Sequence, residues 1–88
     1  MKYAIIVNGE DRIGIISEIA SIISKNNINI YLVKQSSEKN IFKMTMYVEV
    51  EKEEDIVCLS EAFKIKENDL ELRINIFKES EFGKIEFL

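Results

Sequence analysis

The chain has 88 residues, 47% hydrophobic and 32% charged, a composition that fits one globular domain with a modest core and excludes a disordered tail. Its net charge of −4 leaves the twelve Lys and Arg scattered among sixteen acids, so a basic nucleic-acid track is excluded. With no histidine and one cysteine, neither an intramolecular disulfide nor a zinc site of the usual kind is possible.

No apolar run approaches bilayer-spanning length, and Met1-Lys2 leads into a strand rather than a signal peptide. A cytoplasmic protein without a membrane partner is expected. Lys2 to Asn8 holds the uncharged, β-branched run Tyr3-Ala4-Ile5-Ile6-Val7, which predicts a buried first strand. A first helix is predicted from Ile13 to Asn26, with Ile16, Ile19, Ala20 and Ile23 as its core-facing stripe. Lys25-Asn26-Asn27 closes it with a cation and two residues tolerant of left-handed geometry. A second strand is expected from Ile28 to Ser36, then a polar turn at Ser37-Glu38-Lys39-Asn40. The third strand, Ile41 to Val50, alternates cleanly: Phe42, Met44, Met46, Val48 and Val50 share one face.

A second helix starts near Lys52, where Glu53, Glu54 and Asp55 suit a positive helix terminus. Ile56, Leu59 and Phe63 form its buried stripe, and Cys58 reads as a small buried hydrophobe. Lys66-Glu67-Asn68-Asp69 ends the helix, and the fourth strand runs from Leu70 to Phe77 with Leu70, Leu72, Ile74 and Ile76 inward. This βαββαβ order predicts an α+β, ferredoxin-like sandwich: a four-stranded antiparallel sheet with two helices on one face. Residues 1–78 form the domain, and the tail 79–88, with Phe82, Ile85, Phe87 and Leu88, packs on the domain or on a dimer partner. Tyr47 and Phe77 on the outer face, together with that apolar tail, lack cover within one chain and so predict a homodimer.

The stretch Asn8-Gly9-Glu10-Asp11-Arg12-Ile13-Gly14 joins the first strand to the first helix. The first N–H groups of a helix have no partner within it, and the macrodipole favours an anion there. Each residue also has a structural explanation. Gly14 suits either a close crossing of helix and sheet or close approach of a ligand. Asp11 is a helix N-cap or a ligand contact. Arg12 at a positive helix end either meets an anion or is simply solvated. Asn8 and Asn29 could satisfy loop backbone groups. The acids Glu49, Glu51, Glu53, Glu54 and Asp55 lack the looped spacing of a divalent-cation site.

Asp11-Arg12-Ile13-Gly14-Ile15-Ile16, with Asn29-Ile30 after the helix, resembles the loop motif of the ACT domain family. Gly9, Gln35 and Phe42-Lys43-Met44 extend the likeness to the free-standing single ACT-domain proteins, and it covers essentially the whole chain. The resemblance implies a non-enzymatic regulatory module that needs no cofactor or metal. It implies side-by-side dimers forming one continuous sheet, with an amino acid or similar ligand near the strand-one/helix-one loop at the subunit interface. Carried over by position, the ligand-binding residues are Asn8, Gly9, Asp11, Arg12, Gly14, Ile15, Ile16 and Asn29. The alternatives are a ligand-free protein-interaction domain and RNA binding through the sheet. The second conflicts with the negative charge and the missing Gly-rich basic lead-in to the third strand.

Overall fold

The computed structural model describes residues 1–10 and 14–81, with the backbone alone for Leu70. The elements are β1 (Lys2–Glu10), α1 (Ile15–Lys25), β2 (Asn29–Glu38), β3 (Ile41–Glu49), α2 (Glu53–Leu70) and β4 (Leu72–Lys78). The sheet order is β2-β3-β1-β4, antiparallel at every seam, so β1 and β3 are central and β2 and β4 are the edges. This is the ferredoxin-like arrangement expected from the order of elements.

One face of the sheet carries the core. Tyr3, Ile5 and Val7 of β1 alternate inward and meet Phe42, Met44, Met46 and Val48 of β3. Both helices close over this face, α1 with Ile15, Ile19 and Ile23 and α2 with Ile56, Leu59 and Phe63. Leu72 is buried with them, and Ile74 and Ile76 pack partly buried at the margin. The β2–β3 hairpin turns on Lys39 and Asn40, both at positive φ (52° and 66°), the backbone a two-residue type I′ turn requires. Asn26 caps the end of α1, its Nδ2 donating to the Ile22 carbonyl at 2.8 Å, and Asn27 takes the left-handed conformation.

Several boundaries and facings differ from the sequence reading. Helix α1 begins at Ile15 and buries Ile15, Ile19 and Ile23, leaving Ala20 exposed and Ile16 43% exposed. Both candidate stripes contain Ile19 and Ile23, and the helix is rotated so that Ile15 completes the face instead of Ile16. Cys58 is exposed, not buried. At about 100° per residue it sits some 130° from the centre of the Ile56-Leu59-Phe63 stripe. Helix α2 continues through Leu70, and Glu71 at φ 54° ends it, so β4 starts at Leu72 rather than Leu70. Strand β1 runs on to Glu10 and β2 spans Asn29 to Glu38, while β3 ends one residue earlier than expected, at Glu49. Tyr47 is only 8% exposed and Phe77 half-buried; with Ala4 and Ile6 they form a small apolar cluster on the face away from α1 and α2. Uncovered outer-face aromatics therefore give no argument for a dimer.

The two edges are treated differently. At β4, the Ile74 N–H donates to Glu67 Oε1 of α2 at 3.0 Å, so a side chain occupies a donor on that edge. Strand β2 is longer, and Tyr31, Leu32 and Val33 are each more than 40% exposed along it. The β2–β3 register shifts between Ile30 and Leu32, which leaves Tyr31 at a bulge.

Candidate ligand site at the β1–α1 junction

At the far end of β1 the sheet forms an open cleft of 520 Å³. Asn8, Gly9 and Glu10 line it from β1, Lys39, Asn40 and Ile41 from the hairpin turn, and Glu71 and Arg73 from the start of β4. Two acids, Glu10 and Glu71, and two bases, Lys39 and Arg73, around one hollow are groups able to meet both ends of a zwitterion. Antiparallel pairing explains the gathering, because Asn8 stands opposite both Lys43 and Arg73. Sequence reasoning found Asn8 and Gly9 but missed Glu10, Lys39, Asn40, Glu71 and Arg73. The available signal was topological: the β2–β3 turn and the α2–β4 junction must lie at the same end of the sheet as the end of β1.

Gly9 has a packing role at the seam between β1 and β4. A Cβ built on it would fall on Leu72 Cδ2 and lie 3.2 Å from the Glu71 carbonyl oxygen. Gly14 has a conformational one. It occupies the N-cap of α1 at φ 89° with no side-chain cap, and a Cβ there would meet no atom of the described residues within 4 Å. The capping position thus belongs to Gly14 rather than to Asp11; Asp11 and Arg12 both lie outside the described residues. The Gly14 carbonyl accepts the first helical bond from the Glu18 N–H at 3.0 Å. Three residues, 11–13, lie between Glu10 and Gly14, and the four steps along the chain reach at most about 14 Å.

Ile15 is buried and fixes the helix start, while Ile16 is exposed beside it. Asn29 is exposed and pairs with Glu49, as Lys2 does, so it stands at the opposite end of the sheet from Gly9, which pairs with Phe42. Seven residues along β3 are roughly 23 Å. One chain does not bring Asn29 to the other candidate residues. A second and larger cleft, 730 Å³, opens at the Asn29 end of the sheet between Met1, Lys2, Lys78, Glu79 and Glu53. Among the described residues no three acids or cysteines converge as a metal site, and no helix is long and apolar enough to cross a membrane.

The ACT domain family profile matches residues 2–64. The chain belongs to the ACT domain family. ACT domains are in general regulatory ligand-binding modules. A UPF0237 protein of Pyrobaculum aerophilum is 42% identical over 53 residues, which span 59% of this chain and 59% of that protein. A UPF0237 protein of Methanosarcina mazei is 29% identical over 82 residues, covering 92% of this chain and 89% of its own length. In three dimensions the chain is similar to an ACT domain protein from Streptococcus pneumoniae, with a TM-score of 0.80 and 28% identity over 93% of each chain.

Proposed function

We propose that this ACT domain is a non-enzymatic regulatory module that binds an amino acid or a related small carboxylate as a homodimer. The observation that carries this reading is the start of α1, a glycine N-cap at positive φ, reached through residues 11–13 from a strand end that lines a cleft ringed by two acids and two bases. The N–H groups of Ile15 and Ile16 are the donors for the carboxylate. Oxygens of Asn8 and Asp11 serve the ammonium group, and Arg12 pairs with or steers the anion.

The dimer is proposed to form at β2. Strand β4 has an edge donor taken by Glu67, whereas β2 presents ten residues and three exposed apolar side chains. A two-fold, antiparallel junction of two β2 strands sets Asn29 opposite the partner's Glu38, at the end of the sheet where the partner's Gly9 lies. Asn29 then joins the ligand site from across the interface.

Thermal-shift screening against the twenty amino acids tests the ligand, since saturation at a hundred times Kd adds about 2.7 kcal/mol. Sedimentation equilibrium tests the dimer, and Val33→Glu, which places a charge on the β2 edge, is expected to give monomers. No shift with any amino acid, alongside an intact dimer, would move the ligand-free interaction domain ahead. That second reading has an observation of its own: Val57 and Ile65, two turns apart on α2, are 52% and 72% exposed.

A further inference from the structure

We propose that the outer face of the sheet, opposite α1 and α2, docks a short acidic segment of a partner protein on a basic row that crosses all four strands. The register supplies the row. Asn8 of β1 pairs with Lys43 of β3 on one side and with Arg73 of β4 on the other, and Lys43 pairs in turn with Ser36 of β2. Residues paired directly across strands project from the same face. Val7 and Gly9, on either side of Asn8, pair with the core residues Met44 and Leu72, so the row projects from the opposite, outer face. The next row toward the middle of the sheet is Lys34, Thr45, Ile6 and Asn75, paired in the same manner. In a chain where acids outnumber bases sixteen to twelve, neither row holds an acid.

Three cations therefore share one face within two rows about 7 Å apart, and Lys43 and Arg73 stand two strand spacings, about 10 Å, from each other. Lys34, Lys43 and Arg73 are all exposed. Lys34 lies over the Tyr47 ring, its Nζ 5.8 Å from the ring centre, and among the described residues neither Lys43 nor Arg73 is ion-paired. Acids two or three residues apart in an extended segment carry their carboxylates at a matching spacing of about 7–10 Å.

The surroundings select the partner. These rows form an open sheet surface rather than an enclosing pocket, and a small anion held by exposed cations alone gains little. Several carboxylates on one segment add their attractions. A nucleic-acid strand carries its charge on beyond any short footprint. Here it would run into Glu38, Glu10 and Glu71 at one end of the sheet and Glu49 and Glu79 at the other. Two or three carboxylates fit between those acids. The inference does not rest on the amino-acid reading, whose carboxylate donors lie at the start of α1 on the other face.

An amide chemical-shift titration of the labelled full chain at low salt, with a blocked tri-glutamate peptide, tests the proposal. Shifts centred on Ser36, Lys43, Asn8 and Arg73 are expected, and none with a blocked tri-glutamine peptide. Lys43→Gln and Arg73→Gln should each weaken binding about two- to fivefold, Lys66→Gln on α2 should leave it unchanged, and high salt should abolish it. Shifts centred on another face, equal binding of the two peptides, or no binding at millimolar peptide would overturn the proposal. So would inorganic phosphate that reproduces the shifts at equal concentration, or an oligothymidine that binds more tightly than the peptide, by giving the face to a small anion or to a nucleic acid.

Discussion

Gly9→Ala separates a packing glycine from a ligand-contact glycine. Gly9 is paired with Leu72 across the β1–β4 seam, and Leu72 is buried in the core. Its backbone φ is not in the left-handed region, so alanine is permitted there, and the lower entropy of the unfolded chain would add about 0.4–1 kcal/mol of stability. Against this stands the new methyl, overlapping Leu72 Cδ2 and pressed to 3.2 Å from the Glu71 carbonyl. Forcing a methyl group into a packed site costs about 1–3 kcal/mol, so a net loss of about 1–2 kcal/mol is expected. For a domain of this size that is a fall in Tm of roughly 4–16 °C. Urea denaturation at fixed protomer concentration supplies the energies. Leu72→Ala alone should cost about 2–5 kcal/mol, and because it removes the overlapping atoms, the double variant should cost at least about 1 kcal/mol less than the sum. Additivity within about 0.5 kcal/mol, or a Gly9→Ala protein as stable as wild type, would refute the packing argument and return Gly9 to ligand approach alone.

At Gly14 the effect should come from the backbone. Gly14→Ala is expected to lose about 1–2 kcal/mol through its positive φ although no described residue stands in the way of a methyl group, and Gly14→Asn less, as denaturant midpoints will show. Glu67→Ala removes the acceptor of the Ile74 N–H at the β4 edge and should cost about 1–2 kcal/mol, with concentration-dependent self-association in sedimentation as the second sign. Tyr31 has its pKa pushed up to about 12 by loss of hydration, then by its hydrogen bond to the Glu79 carboxylate and the nearby negative charge. A folded-state pKa above the unfolded value near 10 means that the native state holds the proton more tightly. The stabilisation is therefore complete below pH 10 and lost as pH rises toward 12. Since Tyr31 is 41% exposed, the effect should be no more than about 0.5–1 kcal/mol, and Tyr31→Phe should lose less stability than wild type between pH 9 and 11.5.

The fold was legible in the sequence because two signals agreed: the alternation in β3 and β4, and the two helical stripes between strands. Phe42, Met44, Met46 and Val48 lie where a period of two puts them, all buried. Helical phase was harder to read at α1, because the run Ile15-Ile16 offers two adjacent apolar residues and only the helix start decides which faces inward. At α2 the stripe was correct, and the angle it implies already placed Cys58 outside; reading Cys58 by residue type rather than by angle gave the wrong side. The candidate site was half legible. The Gly9 and Gly14 positions carried a local signal, but the cleft residues Lys39, Asn40, Glu71 and Arg73 come from two other junctions that only the strand pairing unites with the end of β1.

Asn29 shows why such a site would need two chains. It resembles a ligand residue by sequence position, yet antiparallel register holds it about seven residues along the sheet from Gly9. No side-chain rotation spans that distance, and the strands between are fully paired, so no movement within one domain closes it. A two-fold axis beside β2 removes the separation along the strands, because reversing the strand exchanges the two ends of the sheet. If Asn29 contacts ligand, then Asn29→Ala mixed with Gly14→Val should recover one intact site in each heterodimer, while either variant alone binds none. Titration of the mixed and separate proteins with a carboxylate found by screening decides it: half-stoichiometric binding in the heterodimer is expected. If Asn29→Ala alone binds as tightly as wild type, Asn29 has no part in the site, and the ligand must be held by the residues of one chain.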